Sequence, residues 1–176
     1  MIEVHTTPTF EDESEWVQKF DWSSTEMAAG AGGHHFILVA TNYFTKWVEA
    51  IHLKKVEQAE VVDFFKEQLM FRFGILETIT TDQGIMFTGG EVKAFLEDYR
   101  VKLLTSIPHY AQANGQAEAS NKVIIFILQK TIEDDPQAWH RILPETLWAY
   151  RISKRTNTTT NPFTLTYGHD ASIQKL

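Results

Sequence analysis

Two acids in this sequence occupy positions suited to chemistry on phosphate. Asp82 follows the β-branched run Glu77-Thr-Ile-Thr-Thr81 and opens a Gln83-Gly84 turn, while Glu118 follows Ala113-Asn114-Gly115, with 35 residues between the two acids. Carboxylates presented to one point from a strand end and a helix start are hard oxygen ligands, suited to Mg²⁺ or Mn²⁺. Spacing alone does not make a site, since eight aspartates and fifteen glutamates in 176 residues supply about 0.7 such pairs by chance. Asp21 and Glu57 show the same separation. Glu57, however, opens an amphipathic segment, where an acid complements the helix dipole and needs no other reason. The plain alternative for Asp82 and Glu118 is a turn aspartate and a first-turn helical glutamate.

The elements that would carry these acids are legible from periodicity. Phe36–Ala40 is a short apolar run and Trp47–Ile51 a second, with Tyr43–Lys46 between them, which predicts a hairpin. From Val56 to Phe73 apolar residues recur at helical spacing until Gly74. Glu77–Thr81 and Val101–Thr105 read as strands, with a short helix over Glu91–Tyr99 between them. Tyr110–Gly115 reads as a polar loop, followed by a long helix over Gln116–Glu133 and another opened by Asp135-Pro136. Residues 1–14 are polar and acidic, and Ser23–Gly33, rich in Ser, Ala and Gly, reads as a loop. Strands, then alternation, then helices predict an α/β fold with a mixed sheet.

Composition bounds the function. The chain is long enough for one well-buried core. It has no apolar run near the ~20 residues needed to cross a bilayer, so no membrane partner is expected, and no secretory signal pattern opens it. The absence of cysteine excludes disulfides and thiolate zinc sites within this sequence. The net charge of −7 is unfavourable for a phosphate partner. Most of it lies in residues 1–26, which hold seven acids and one base, Lys19.

Longer stretches resemble one family. Thr81-Asp82-Gln83-Gly84 with Phe87-Thr88, then Asn114-Gly115-Gln116-Ala117-Glu118 with Asn121-Lys122, is similar to the integrase catalytic core of Ty3/gypsy-type LTR retrotransposons, notably the plant kind, within the retroviral integrase superfamily. The likeness runs on through His34–Ala50, Leu147–Arg151, Pro162-Phe163 and Tyr167-Gly168, and covers roughly residues 33 to 170. Residues 1–20 diverge, so the resemblance implies a leader over 1–20 and a catalytic core over 21–176. The implied fold is ribonuclease-H-like, a five-stranded mixed sheet flanked by helices. The implied chemistry is DNA integration by metal-dependent polynucleotidyl transfer, with 3′-end processing by water attack and strand transfer by 3′-OH attack. The catalytic and metal-holding triad would be Asp21, Asp82 and Glu118, with two Mg²⁺ or Mn²⁺ ions. Asp21 sits at the right distance from His34, although Phe20-Asp21-Trp22-Ser23 departs from the family pattern around the first acid.

The same resemblance implies DNA as partner, contacted by Tyr110, Asn114, Gln116, Asn121 and Lys122. It also implies origin in a larger polyprotein and a nuclear site of action. A Glu118–Lys122 surface pair would account for that lysine without DNA. Arg151, Lys154 and Arg155 could track phosphates or simply solvate a helix end. The apolar stretch Val123–Leu128 predicts a deeply buried helix or a homodimer or higher oligomer. The histidines show no zinc-ligand spacing and read as structural or exposed. The family's His- and Cys-based zinc domain has no counterpart in this stretch. The reading from another class is a noncatalytic, host-adopted module that binds nucleic acid or protein.

Overall fold

A computed structural model describes residues 19–27, 32–81, 84–105, 111–132, 135, 138–155 and 159–171; over 19–26 and 111–118 the description is of the backbone. A five-stranded sheet forms the frame, built from β1 (Lys19–Glu26), β2 (Phe36–Asn42), β3 (Val48–Leu53), β4 (Thr78–Thr81) and β5 (Lys102–Thr105) in the order β3-β2-β1-β4-β5. β1, β2 and β3 pair antiparallel, while β4 and β5 join parallel to β1. Ser23–Glu26 belongs to β1 and is not the start of a loop. Pairing with the apolar strand β2 outweighs the weak β-propensity of its serines.

β2 is buried on both faces, as its uninterrupted apolar run requires. Leu38 and Ala40 face a core filled from α1 (Gln58–Phe64), a π-helical stretch (Phe65–Met70) that runs on into α2 (Phe71–Phe73), α3 (Ile85–Thr88) and α4 (Gly90–Asp98). The π-helical stretch has a sequence cause. Leu69 already shares the face of Val62 and Phe65 at ordinary helical spacing, and the wider i→i+5 turn, from Phe65 to Met70, brings Met70 to the core side as well.

Ile37 and Val39 face the opposite core, supplied by α5 (Ala111–Thr131) and α6 (Trp139–Ile152). α5 begins earlier than the sequence predicts, because Ala111-Gln112-Ala113 are strong helix formers and carry the poor pair Asn114-Gly115 into the helix. α6 begins later than Asp135-Pro136 suggests. Its N-cap is Ala138, whose N–H bonds the Asp135 carbonyl, and Pro136 lies outside the described residues. The Val123–Leu128 stretch is largely covered within the chain. Ile124 and Leu128 are buried, Val123 and Ile127 pack beside them, and Phe126 stays 55% exposed under the Lys130 ammonium. α7 (Pro162–Tyr167) is a capped turn: Asn161 accepts the Thr164 N–H, Pro162 opens it, and Gly168 closes it in the left-handed region.

Candidate functional site

The sheet and α5 assemble the elements that carry the acids. Asp21 lies in β1, the central strand, paired with Thr41 of β2 on one side and with Thr80 of β4 on the other. Thr81 ends β4 and Asp82 follows it directly; Asp82 itself lies outside the described residues, as does Tyr110. Glu118 is well inside α5, seven residues beyond Ala111, and α5 packs against β1, β2 and β4. The first-turn explanation for Glu118 therefore fails, since the dipole effect fades within one turn of the helix end. Asn114 and Gln116 lie on helical backbone and not in a loop.

One turn beyond Glu118, Asn121 is buried and Lys122 exposed. The neighbouring Ser120 is also buried and accepts a 2.9 Å bond from the Tyr150 hydroxyl, which ties α5 to α6. Burial raises the Tyr150 hydroxyl above its ordinary value, opposed by the Ser120 bond and by Arg155. Thr41, opposite Asp21, is 1% exposed, and its hydroxyl has no hydrogen-bond partner among the described residues.

Arg151 does not track phosphates. Its Nε and Nη2 donate to the Val48 carbonyl at 3.0 and 2.7 Å, and Nη2 meets Glu49 Oε2 at 2.6 Å. Its guanidinium also lies 4.3 Å from the Trp47 ring centre. Burial lowers its pKa from the ordinary value and Glu49 opposes that shift; a guanidinium stays charged regardless. Glu49, 3% exposed, also accepts from Trp47 Nε1 at 2.8 Å and pairs with Arg72 at 2.9 Å. The pairs Asp21–Thr41 and Thr41–Val48 put this clamp at the level of Asp21, on the edge strand β3. An acid inside the apolar run Trp47–Ile51 was the available signal, because a buried carboxylate demands partners. Among the described residues, no three His, Cys, Asp or Glu side chains stand in position to hold an ion. No helix among them is long and apolar enough to cross a membrane.

Known proteins align with these elements. The sequence pattern of the family described as "Integrase core domain" matches residues 14–111. The Gag-Pol polyprotein of avian reticuloendotheliosis virus is 26% identical over 144 residues, 82% of this chain and 12% of that polyprotein. The chain thus spans a small part of that relative's length. Among solved structures, a chain of the simian T-cell lymphotropic virus intasome in complex with PP2A regulatory subunit B56 gamma superposes with a TM-score of 0.76 at 18% identity, covering 91% of this chain and 58% of that one. The HTLV-2 integrase catalytic core domain in complex with magnesium, in its trimeric form, gives 0.70 at 20% identity, over 85% of this chain and 95% of that one. At these identities the two structures speak for the fold alone.

Proposed function

The chain belongs to the integrase core domain family, and from that premise we propose that it is the catalytic core of a retroelement integrase acting on DNA ends. The observation that carries the reading is the parallel pairing of β1 with β4 at Asp21–Thr80, with α5 packed across both strands. The elements bearing Asp21, Asp82 and Glu118 are therefore mutual neighbours. An all-carboxylate donor set drawn from β1, the residue that follows β4 in sequence, and α5 fits a hard divalent cation better than a softer one. Asp21, Asp82 and Glu118 would hold Mg²⁺ or Mn²⁺, two ions in the full site; the HTLV-2 core domain in complex with magnesium supports the use of a divalent ion. When bound, such ions lower the pKa of an attacking water or 3′-OH and neutralise charge at phosphorus.

The chain's own residues supply the rest. Lys122, exposed one turn beyond Glu118, holds a backbone phosphate. Asn114, Gln116 and Asn121 on α5, with Tyr110 just before it, orient the DNA end. Of the retroelements, the Ty3/gypsy type of plant LTR retrotransposons fits the motifs best. The division into a leader over 1–20 and a core over 21–176 is part of the same reading. So are work in the nucleus, excision from a larger polyprotein, and a homodimer. The dimeric and trimeric forms of the HTLV-2 core support self-association, and exposed Phe126 is the apolar remainder on α5.

The test is a labelled DNA-end substrate assayed for 3′-end processing and strand transfer with Mg²⁺ or Mn²⁺. Activity should vanish alike in Asp21→Asn, Asp82→Asn and Glu118→Gln, with folding unchanged by circular dichroism. DNA or protein binding without metal-dependent cleavage in the parent chain would favour the noncatalytic module.

A further inference from the structure

Three histidines distant in sequence meet at the other end of the sheet. His34 lies just before β2, His52 is on β3, and His140 is in the first turn of α6. The Nδ1 atoms of His34 and His52 are 3.1 Å apart. The ring centres are 4.3 Å apart for His34–His52, 5.0 Å for His34–His140 and 5.6 Å for His52–His140. All three rings are half-buried, so each keeps access to solvent. The scaffold is pinned on each side. The Met27 N–H bonds the His35 carbonyl at 2.6 Å, and the His35 N–H bonds the Leu53 carbonyl at 2.9 Å. The next residue to His140 is Trp139, which is fully buried. Gly32 and Gly33, at φ 83° and 78°, take the left-handed backbone that delivers His34 to this point.

The geometry points to a transition-metal site of the zinc class on His34, His52 and His140. Two nitrogens 3.1 Å apart, each ~2.05 Å from one ion, subtend about 98° there, close to the tetrahedral angle. The three ring centres lie on a circle of about 2.9 Å radius, and an ion bound at ~2.05 Å through a ring nitrogen stands about 3.2 Å from the ring centre. One point just off their plane therefore serves all three rings. As now turned, the rings do not surround that point, and His140, stacked on His34 at 22°, has to rotate about its side-chain bonds to aim a nitrogen at it. Of the Nδ1 pair, the ring that donates moves its proton to Nε2, so neutral rings release no net proton.

The surroundings favour neutral rings. Desolvation, then His140, Lys54 and His35, lower the His34 pKa, and desolvation with His34 and His140 lowers that of His52. Imidazoles select the zinc class, whereas the carboxylate site selects hard ions. The two sites are also separate in space. Ile37, opposite His52, and Thr41, opposite Asp21, are four residues apart on β2, about 13 Å at ~3.3 Å per residue.

The test is a Co²⁺ titration of the untagged chain in excess Mg²⁺, read by the intense visible absorption of low-coordinate Co²⁺. We expect one saturable Co²⁺ per chain, displaced by Zn²⁺, with affinity weakened by about tenfold or more in His34→Gln and in His140→Gln and unchanged in Asp82→Asn. His140→Gln is the decisive variant, since His140 is half-exposed and its replacement spares the sheet. In the parent chain, Zn²⁺ should also shift the ring-proton resonances of all three histidines, a readout independent of any variant's folding. No saturable band, a band equal in parent and His140→Gln, or a band lost in Asp82→Asn would each overturn the site.

Discussion

Replacing Glu49 by Gln should unfold this domain more readily than any surface change of charge. The substitution keeps the side chain's shape and one acceptor for Trp47 Nε1 but removes the charge that Arg151 meets at 2.6 Å. The Arg151 side chain is only 13% exposed and that of Glu49 3%, so the stranded guanidinium has little water to turn to. Breaking a buried pair from one side costs about 3–5 kcal/mol. Arg151 keeps its two bonds to the Val48 carbonyl, which favours the lower end, about 3 kcal/mol. The Arg72 arm, 40% exposed, adds no more than a surface pair, at most about 1 kcal/mol. For a domain of this size the loss is roughly 6–12 °C in Tm. Urea and thermal unfolding of Glu49→Gln, Arg151→Met and the double variant provide the assay. The double variant should be more stable than the two single losses predict, because no charge is left stranded. A Glu49→Gln loss below about 1 kcal/mol, or strict additivity in the cycle, would refute the reasoning.

Two further outcomes follow from the α5–α6 seam and the histidine cluster. Tyr150→Phe should cost about 1–2 kcal/mol in urea unfolding, since it strands the buried Ser120 hydroxyl; no change would mean that this hydroxyl has another partner. His34 and His52, both lowered from 6.5, bind fewer protons folded than unfolded between their lowered values and 6.5. Stability therefore rises with pH through that window and is lost as pH falls below about 6.5. In metal-free buffer Tm should drop from pH 7 to pH 5 less steeply in His52→Gln than in the parent, and equal slopes would remove the histidines as the cause.

The β2–β3 hairpin was easy to read because β2 and the turn after it are locally determined. An apolar run must be buried on both faces, and Asn42 closes the turn itself by accepting the N–H groups of Phe44 and Thr45. Ser23–Glu26 reads as a loop for the opposite reason, since its strand character comes from β2 beside it and not from its own residues. The start of α5 was hidden by Asn114-Gly115, a pair that signals a turn when short-range preference decides and yields when a 21-residue helix packs on a sheet. The family motifs were legible as strings around Asp82 and Glu118. The histidine cluster was not, because residues 34, 52 and 140 converge only through the hairpin and the packing of α6 on β3. No spacing rule reaches across such distances.

The placement of Glu118 bears on the function more than its spacing does. A glutamate in the first turn of a helix is stabilised by the dipole and needs no partner, whereas one seven residues inside α5 gains nothing from the helix end. The strands that α5 packs against are β1, β2 and β4. β1 brings Asp21 to that neighbourhood, and β4 leads directly into Asp82. Carboxylates brought to one point repel one another and oppose folding unless a cation offsets them. If the site is a metal site, millimolar Mg²⁺ or Mn²⁺ should raise the Tm of the parent, through ligand binding to the folded state, and should do so less in Glu118→Gln. Equal gains in the two proteins would mean that the glutamate serves the fold and not the ion.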